Sequence, residues 1–225
     1  MSQEEYEAMI HGAEVLQEDK IGPKVFELPD GSILKLFTPR SLFSSATLYP
    51  YAKRFARNAQ KLHACNVPTV EMIDTALISH RKLHCVRYQP LAGSTLRSLG
   101  KENDGLSEEV ILRFAEFVAG LHAKGIYFRS FHLGNVIVMD DGRLGLIDIA
   151  DLWTRNRPLT RKERVRNIAR IYRFSDEISM LRAHGETLFI DAYLENAGIS
   201  LDDPLRKILQ LQQEVHLKTQ RINHD

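Results

Sequence analysis

Apolar positions along the chain follow two rhythms, and the rhythm changes near residue 90. Downstream, Val110, Ile111, Phe114, Phe117, Val118 and Leu121 recur at steps of three and four, which predicts a helix with one face on a core. Ser107 is a good N-cap, Glu108 and Glu109 suit the positive end of the helix dipole, and Gly125 supplies the stop. His122, near the end of this helix, is expected at the surface. Upstream, short apolar runs are bounded by turn residues. Residues 25–28 and 32–37 flank Pro29-Asp30-Gly31, a hairpin signal, and 70–78 and 84–88 are further strand candidates. Between them Leu48, Tyr51, Ala52, Phe55, Ala59 and Leu62 are spaced as a helix with Pro50 in its first turn.

The expected fold is therefore α+β, with a small β-rich lobe carrying one helix over residues 1–90 and a short, mainly helical lobe over 91–225. The stretch from Gln89 to Gly93 is the Pro/Gly break that joins them. Val165, Ile168, Ala169 and Tyr172 predict a further helix. The last fifty residues read as two more, one near 186–196 and one capped by Asp203 with Pro204 in its first turn. Leu205, Ile208, Leu209 and Val215 are the expected inner face of the latter.

Composition narrows the class without naming an activity. A chain of 225 residues with 44% hydrophobic and 26% charged content can fill a core in one domain or two packed lobes. No apolar run approaches the length of a membrane-spanning helix. The start, MSQEEYEAMI, is acidic and lacks the basic and apolar parts of a signal peptide, so a cytoplasmic protein is expected. Cys65 and Cys85 have no metal-type spacing and read as reduced thiols. A net charge of +1 gives no general affinity for polyanions. One segment departs from that balance: residues 154–173 hold eight basic side chains against the single acid Glu163, a local charge of +7. Such a helix suits solvent, phosphorylated ligands or a membrane surface. No aromatic stacking platform accompanies it in the sequence, so nucleic acid is not expected.

Candidate chemistry gathers in YFRSFHLGNVIVMDDGRLGLID, residues 127–148. Asp141-Gly142 sits between two apolar runs, and a two-residue type I′ turn at that pair sets Asn135 opposite Asp148. Directly opposed side chains have Cβ atoms about 4.5–5.5 Å apart. An amide oxygen and a carboxylate that close form half of a site for a hard cation such as Mg²⁺. Lys35 is the only charge in the run 33–37, where both strand faces are otherwise apolar, so its ammonium needs a partner or an open cleft.

The order helix, short loop ending in Asn, hairpin, Asp resembles the catalytic core of the protein-kinase-like superfamily. Within it, His132, Gly134 and Asn135 resemble the D-L-H-P-G-N loop of bacterial small-molecule and lipopolysaccharide core kinases, with Leu133 in place of the proline. YFRSFHLGNV followed by GLIDIADL is similar to proteobacterial proteins described as toluene-tolerance or lipopolysaccharide-kinase-like. The resemblance runs from about Gly12 to about Tyr172. It implies that Asn135 and Asp148 hold Mg²⁺ on ATP and that Lys35 contacts its phosphates. It also implies that Gly22 is the remnant of the glycine-rich loop, and that the backbone around Gln89 and Leu91 receives the adenine. The acceptor it implies is a sugar hydroxyl of the lipopolysaccharide inner core, at the inner-membrane surface.

Four positions depart from that pattern. The catalytic Asp position, five before Asn135, holds Ser130, which is no base near neutral pH. The accompanying His position holds Phe128. Asn58 stands where the Glu partner of the strand lysine is found, and no Asp or Glu occurs from 31 to 70. Asn167 stands where an Asp braces the catalytic loop. Positioning and metal electrostatics carry most of phosphoryl transfer, so two readings remain: a slow kinase and a pseudokinase that binds nucleotide without turnover.

Overall fold

A computed structural model of the chain describes residues 1–20, 22–37 and 50–222, the last three by backbone alone. Leu48, expected in the upstream helix, lies outside the described residues. Two compact units emerge. The first comprises Met1–Leu91 with Asp148–Asp151, and the second runs from Ala92 to Ile147 and onward from Leu152. A five-stranded antiparallel sheet with its helix, followed by a mainly helical unit, is the α+β architecture expected from the sequence.

The first unit opens with a helix that the apolar pattern passes over, α1 (Gln3–Ile10). Ser2 and Glu5 form a reciprocal capping box there, each side chain accepting the other's amide. Strands β1 (Glu14–Asp19), β2 (Gly22–Glu27), β3 (Ile33–Phe37), β4 (Glu71–Ile78) and β5 (Leu83–Gln89) form the sheet in the order β1-β2-β3-β5-β4, with α2 (Tyr51–Ala64) between β3 and β4 in sequence. The presence of two helices explains why β3 is apolar on both faces. Leu34 and Leu36 join Tyr6 of α1, Phe26, Ile78 and Cys85 in one core cluster. On the other face, Phe37 and Tyr88 set their rings against Phe55 of α2, with centroids 6.1 and 5.2 Å away. Strand alternation puts Lys35 on this second face.

The second unit contains β6 (Ser94–Thr95), α3 (Leu96–Glu102), α4 (Glu108–Ala123), β7 (Ile126–Phe128), β8 (Val136–Val138), β9 (Leu144–Leu146) and β10 (Leu152–Thr154). Four helices complete it: α5 (Arg161–Ile171), α6 (Ser175–Leu181), α7 (Leu188–Asn196) and α8 (Pro204–Ile222). Ser107 caps α4 as expected, and Phe114 of α4 stacks on Phe189 of α7 at 5.4 Å. His122 is not at the surface: it is 0% exposed, because it continues the inward stripe of Ile111, Ala115 and Val118. In α8, Leu205 and Leu209 are buried as expected, but Ile208 and Val215 are 41% and 57% exposed. The buried stripe continues instead through Gln213, four residues beyond Leu209, and the other two positions fall off it.

The hairpin register also differs from the sequence expectation. Val136 pairs with Leu146, Ile137 with Gly145 and Val138 with Leu144, so Asn135 comes opposite Ile147, whose amide donates to the Asn135 carbonyl at 3.1 Å. The turn has three residues, not two. The Met139 amide reaches the Arg143 carbonyl and the Gly142 amide reaches the Met139 carbonyl, with Gly142 at φ +79°. This is a type I turn closed by a left-handed glycine, and it adds one residue to the loop. The β2–β3 hairpin repeats it at Pro29-Asp30-Gly31, with Gly31 at φ +76°. In both, the Asp before the glycine accepts the backbone amide two residues on, Ser32 or Arg143, which stabilises the turn.

Candidate functional site

In the first unit, β3 carries Lys35 to a carboxylate far away in sequence. Lys35 Nζ lies 2.6 Å from Asp148 Oδ1, with the lysine side chain 16% and the aspartate 45% exposed. The partner that the apolar strand demanded is thus Asp148. The chain takes an uncommon conformation to provide it: Asp148 has φ +53°, in the left-handed region. For a non-glycine residue that costs about 1–2 kcal/mol, and Asp is among the few that visit it. Strain of this kind persists where neighbours hold it in place.

Asn58 is one such neighbour. It is 5% exposed on α2 and donates Nδ2 to the carbonyl of Ile149 at 2.7 Å, next to the strained residue. An acid at position 58 has no hydrogen to offer that carbonyl, so the amide is chemically suited to the place. Burial pushes the nearby Tyr88 phenol up, and the negative Asp148 adds to the effect, so Tyr88 stays protonated. Gly22 opens β2 opposite Asp19 at φ +122°, a backbone conformation that suits glycine, and an added Cβ would meet no protein atom within 4 Å. Gln89 ends β5, and Leu91 is the last residue of this unit before the chain enters the second.

In the second unit, the loop from Ser130 to Asn135 is braced from several sides. Asn135, 7% exposed, donates Nδ2 to the Ser130 carbonyl at 2.8 Å. That bond fixes which way the amide faces and leaves Oδ1 as the acceptor. Asn167, fully buried, donates Nδ2 to the Phe128 carbonyl at 2.6 Å and accepts the Phe128 amide on Oδ1 at 3.3 Å. A carboxylate manages only the second of these bonds. Asn167 thus holds both polar groups of the Phe128 backbone, in a form that does not titrate.

Behind it lies a buried relay. The Arg164 guanidinium donates to the Tyr193 hydroxyl at 3.1 Å, and that hydroxyl lies 2.9 Å from His122 Nδ1. His122 Nε2 lies 3.1 Å from Asn167 Oδ1. With Arg164 and the Asn167 Oδ1 fixing the ends, Tyr193 donates to Nδ1 and the imidazole carries its hydrogen on Nε2. Burial, aided by the Arg164 charge, pushes the imidazole down to about 3.

Two further residues escaped the sequence reading. Glu177 of α6 is 0% exposed, accepts the Leu133 amide at 3.0 Å and pairs with Arg97 Nε at 2.6 Å. Arg97 also donates to His132 Nδ1 at 3.2 Å, and that nitrogen accepts the Gly134 amide at 3.1 Å. His132 thus orders the loop. A Cβ at Gly134 would come 2.9 Å from the Arg97 guanidinium, so only glycine admits this approach. Burial raises the Glu177 carboxyl, while the Leu133 amide and Arg97 pull it down. No pattern of apolar residues marks a buried acid, and α6, which carries it, is a helix beyond the two expected in the last fifty residues.

Ser130 is half-buried and its carbonyl is committed to Asn135. Among the described residues no group of three His, Cys, Asp or Glu side chains is placed to hold a metal. Taken separately, Asn135 Oδ1 in the second unit and the Asp148 carboxylate in the first are oxygens of the type that Mg²⁺ takes.

No protein-family model matches the chain, and no curated protein matches it. Among solved structures it is similar to the bifunctional kinase-methyltransferase WbdD, with 12% identity and a TM-score of 0.48 over 81% of this chain. The match spans 45% of that protein's length.

Proposed function

We propose that the chain binds ATP with Mg²⁺, using Lys35 on the nucleotide phosphates and Asn135 and Asp148 on the metal, with the backbone near Gln89 and Leu91 receiving the adenine and Gly22 lying over the phosphates. The observation that carries this reading is the Lys35–Asp148 pair at 2.6 Å, made by an aspartate held at φ +53°. A strained carboxylate that is nearly half exposed is worth little as a structural ion pair. It suits a ligand that must reach it. Bound metal would neutralise charge developing on the transferred phosphoryl group, and Lys35 would hold the phosphates in line. The acceptor that the lipopolysaccharide-kinase resemblance implies is a sugar hydroxyl of the inner core. Ser130 supplies no base, so transfer rests on positioning and the metal and is slow. Titration calorimetry with ATP, with and without Mg²⁺, tests the binding, and radiolabelled ATP with deacylated core oligosaccharide tests the transfer. No heat in either titration sinks the reading.

A second reading rests on the same residues. Phe128 is fully buried, with its backbone held by Asn167 and its ring against Phe131, and Asn58 and Asn167 replace the ionisable groups of a kinase by neutral braces. A pseudokinase that binds nucleotide and signals through a partner in envelope biogenesis needs no more than this. ATP-dependent thermal stabilisation without labelled product at high protein concentration selects it.

A further inference from the structure

Seven of the eight basic side chains of residues 154–173 divide into two groups in the structure, and the eighth, Arg173, lies over the Phe174 ring. Arg155 and Arg157 share Glu163, Arg161 pairs with Asp203, and Arg164 is spent on the Tyr193 hydroxyl and the Leu159 carbonyl. Lys162, Arg166 and Arg170 are exposed and have no ion pair among the described residues. They stand four residues apart on α5, one above the next, on the side opposite Asn167, Ile168 and Ile171, which are buried. The row is about 12 Å long at 1.5 Å per residue. Like charges at this spacing repel, so the row destabilises the free helix and is relieved only by an anionic partner.

We infer that this face of α5 docks the protein on a bilayer surface bearing anionic phospholipid headgroups. Charge asymmetry supports that occupant. The segment carries +7 in a chain whose net charge is +1, so all other residues together carry −6. A plane of negative charge attracts such a molecule through one face and repels the rest, which sets its orientation. The apolar side of α5 is committed to the core, so the contact is electrostatic, without insertion. A nucleic-acid duplex fits less well. Tight phosphate binding there takes some 6–10 cationic contacts, more than this row supplies, and the row has no aromatic residue for single strands to stack on. The inference is independent of the nucleotide reading.

Sedimentation with vesicles tests it on the full chain. Vesicles of phosphatidylcholine alone should leave the protein in the supernatant, and vesicles with a third of phosphatidylglycerol should bring it down at low salt. Each cation near the surface is worth about a fivefold change in partitioning, so Lys162→Gln, Arg166→Gln and Arg170→Gln combined should cut it about a hundredfold. Raising the salt from 50 to 300 mM should release the wild type. These exposed positions leave folding intact, which circular dichroism checks. Equal sedimentation of wild type and triple variant overturns the inference. So does sedimentation that ignores phosphatidylglycerol, or retention on duplex DNA at salt that abolishes vesicle binding.

Discussion

Acidification should weaken this protein through one buried imidazole. His122 is 0% exposed, and its two nitrogens are committed to the Tyr193 hydroxyl and Asn167 Oδ1. A proton on Nδ1 would meet a hydroxyl already receiving a hydrogen bond from Arg164, so the charged form loses an acceptor as well as solvent. Folded His122 takes up its proton only near pH 3, against 6.5 for the free side chain. Between those values the unfolded chain binds more protons than the folded one, so stability is fully present above about pH 6.5 and falls as pH drops below it. At 1.36 kcal/mol per unit, going from pH 7.5 to pH 5 should cost about 2 kcal/mol from this group alone. Urea unfolding at a series of pH values measures the total, and His122→Gln isolates the share. Glutamine keeps polar atoms in the cavity but does not titrate, so its curve should be flatter than the wild type's by about 2 kcal/mol over that range. The other titrating groups cancel in the difference. Curves that run parallel within about 0.5 kcal/mol would refute the reasoning, since they would mean that folded His122 protonates as easily as unfolded.

Other substitutions probe the remaining contacts. Asn58→Leu removes the amide donor from the carbonyl of the buried Ile149 and should cost about 1–3 kcal/mol in urea unfolding, with a loss below about 0.5 kcal/mol counting against the brace. Lys35→Met and Asp148→Asn, taken singly and together, should reveal a coupling of no more than about 1 kcal/mol, reduced by salt because Asp148 is part exposed; a coupling of several kcal/mol would show that the pair is a structural one. Asp148→Ala should abolish the Mg²⁺ dependence of ATP binding while Lys35→Ala weakens binding with and without metal, and identical titrations for both would contradict the assigned roles. Ser130→Asp should raise phosphoryl transfer or ATP hydrolysis by about 10²-fold or more if a slow kinase lacks only its base, and unchanged zero turnover with ATP still bound favours the pseudokinase.

Local signals settled much of this molecule from the sequence. The period of the apolar residues located α2, α4 and four strands of the first unit, because burial of one face is what makes those elements stable; β1, exposed along its length, gave no such signal. The demand of Lys35 for a partner was legible for the same reason: a charge between apolar neighbours cannot be left alone. Two features were legible and passed over. Ser2 and Glu5 are the spacing of a capping box, and His122 lies on the helical stripe that it was read as leaving.

Tertiary structure decided the rest. Asp-Gly serves a two-residue turn or the end of a three-residue one, and the flanking strands choose between them; that choice moved Asn135 from Asp148 to Ile147. The partner of Lys35, the buried Glu177 and the backbone bonds of Asn58 and Asn167 all join residues 39 to 113 positions apart. No periodicity encodes such pairs. In the sequence Asn58 and Asn167 appear as acids lost, and only the fold shows each amide donating a hydrogen to a buried carbonyl, a bond that a carboxylate cannot make.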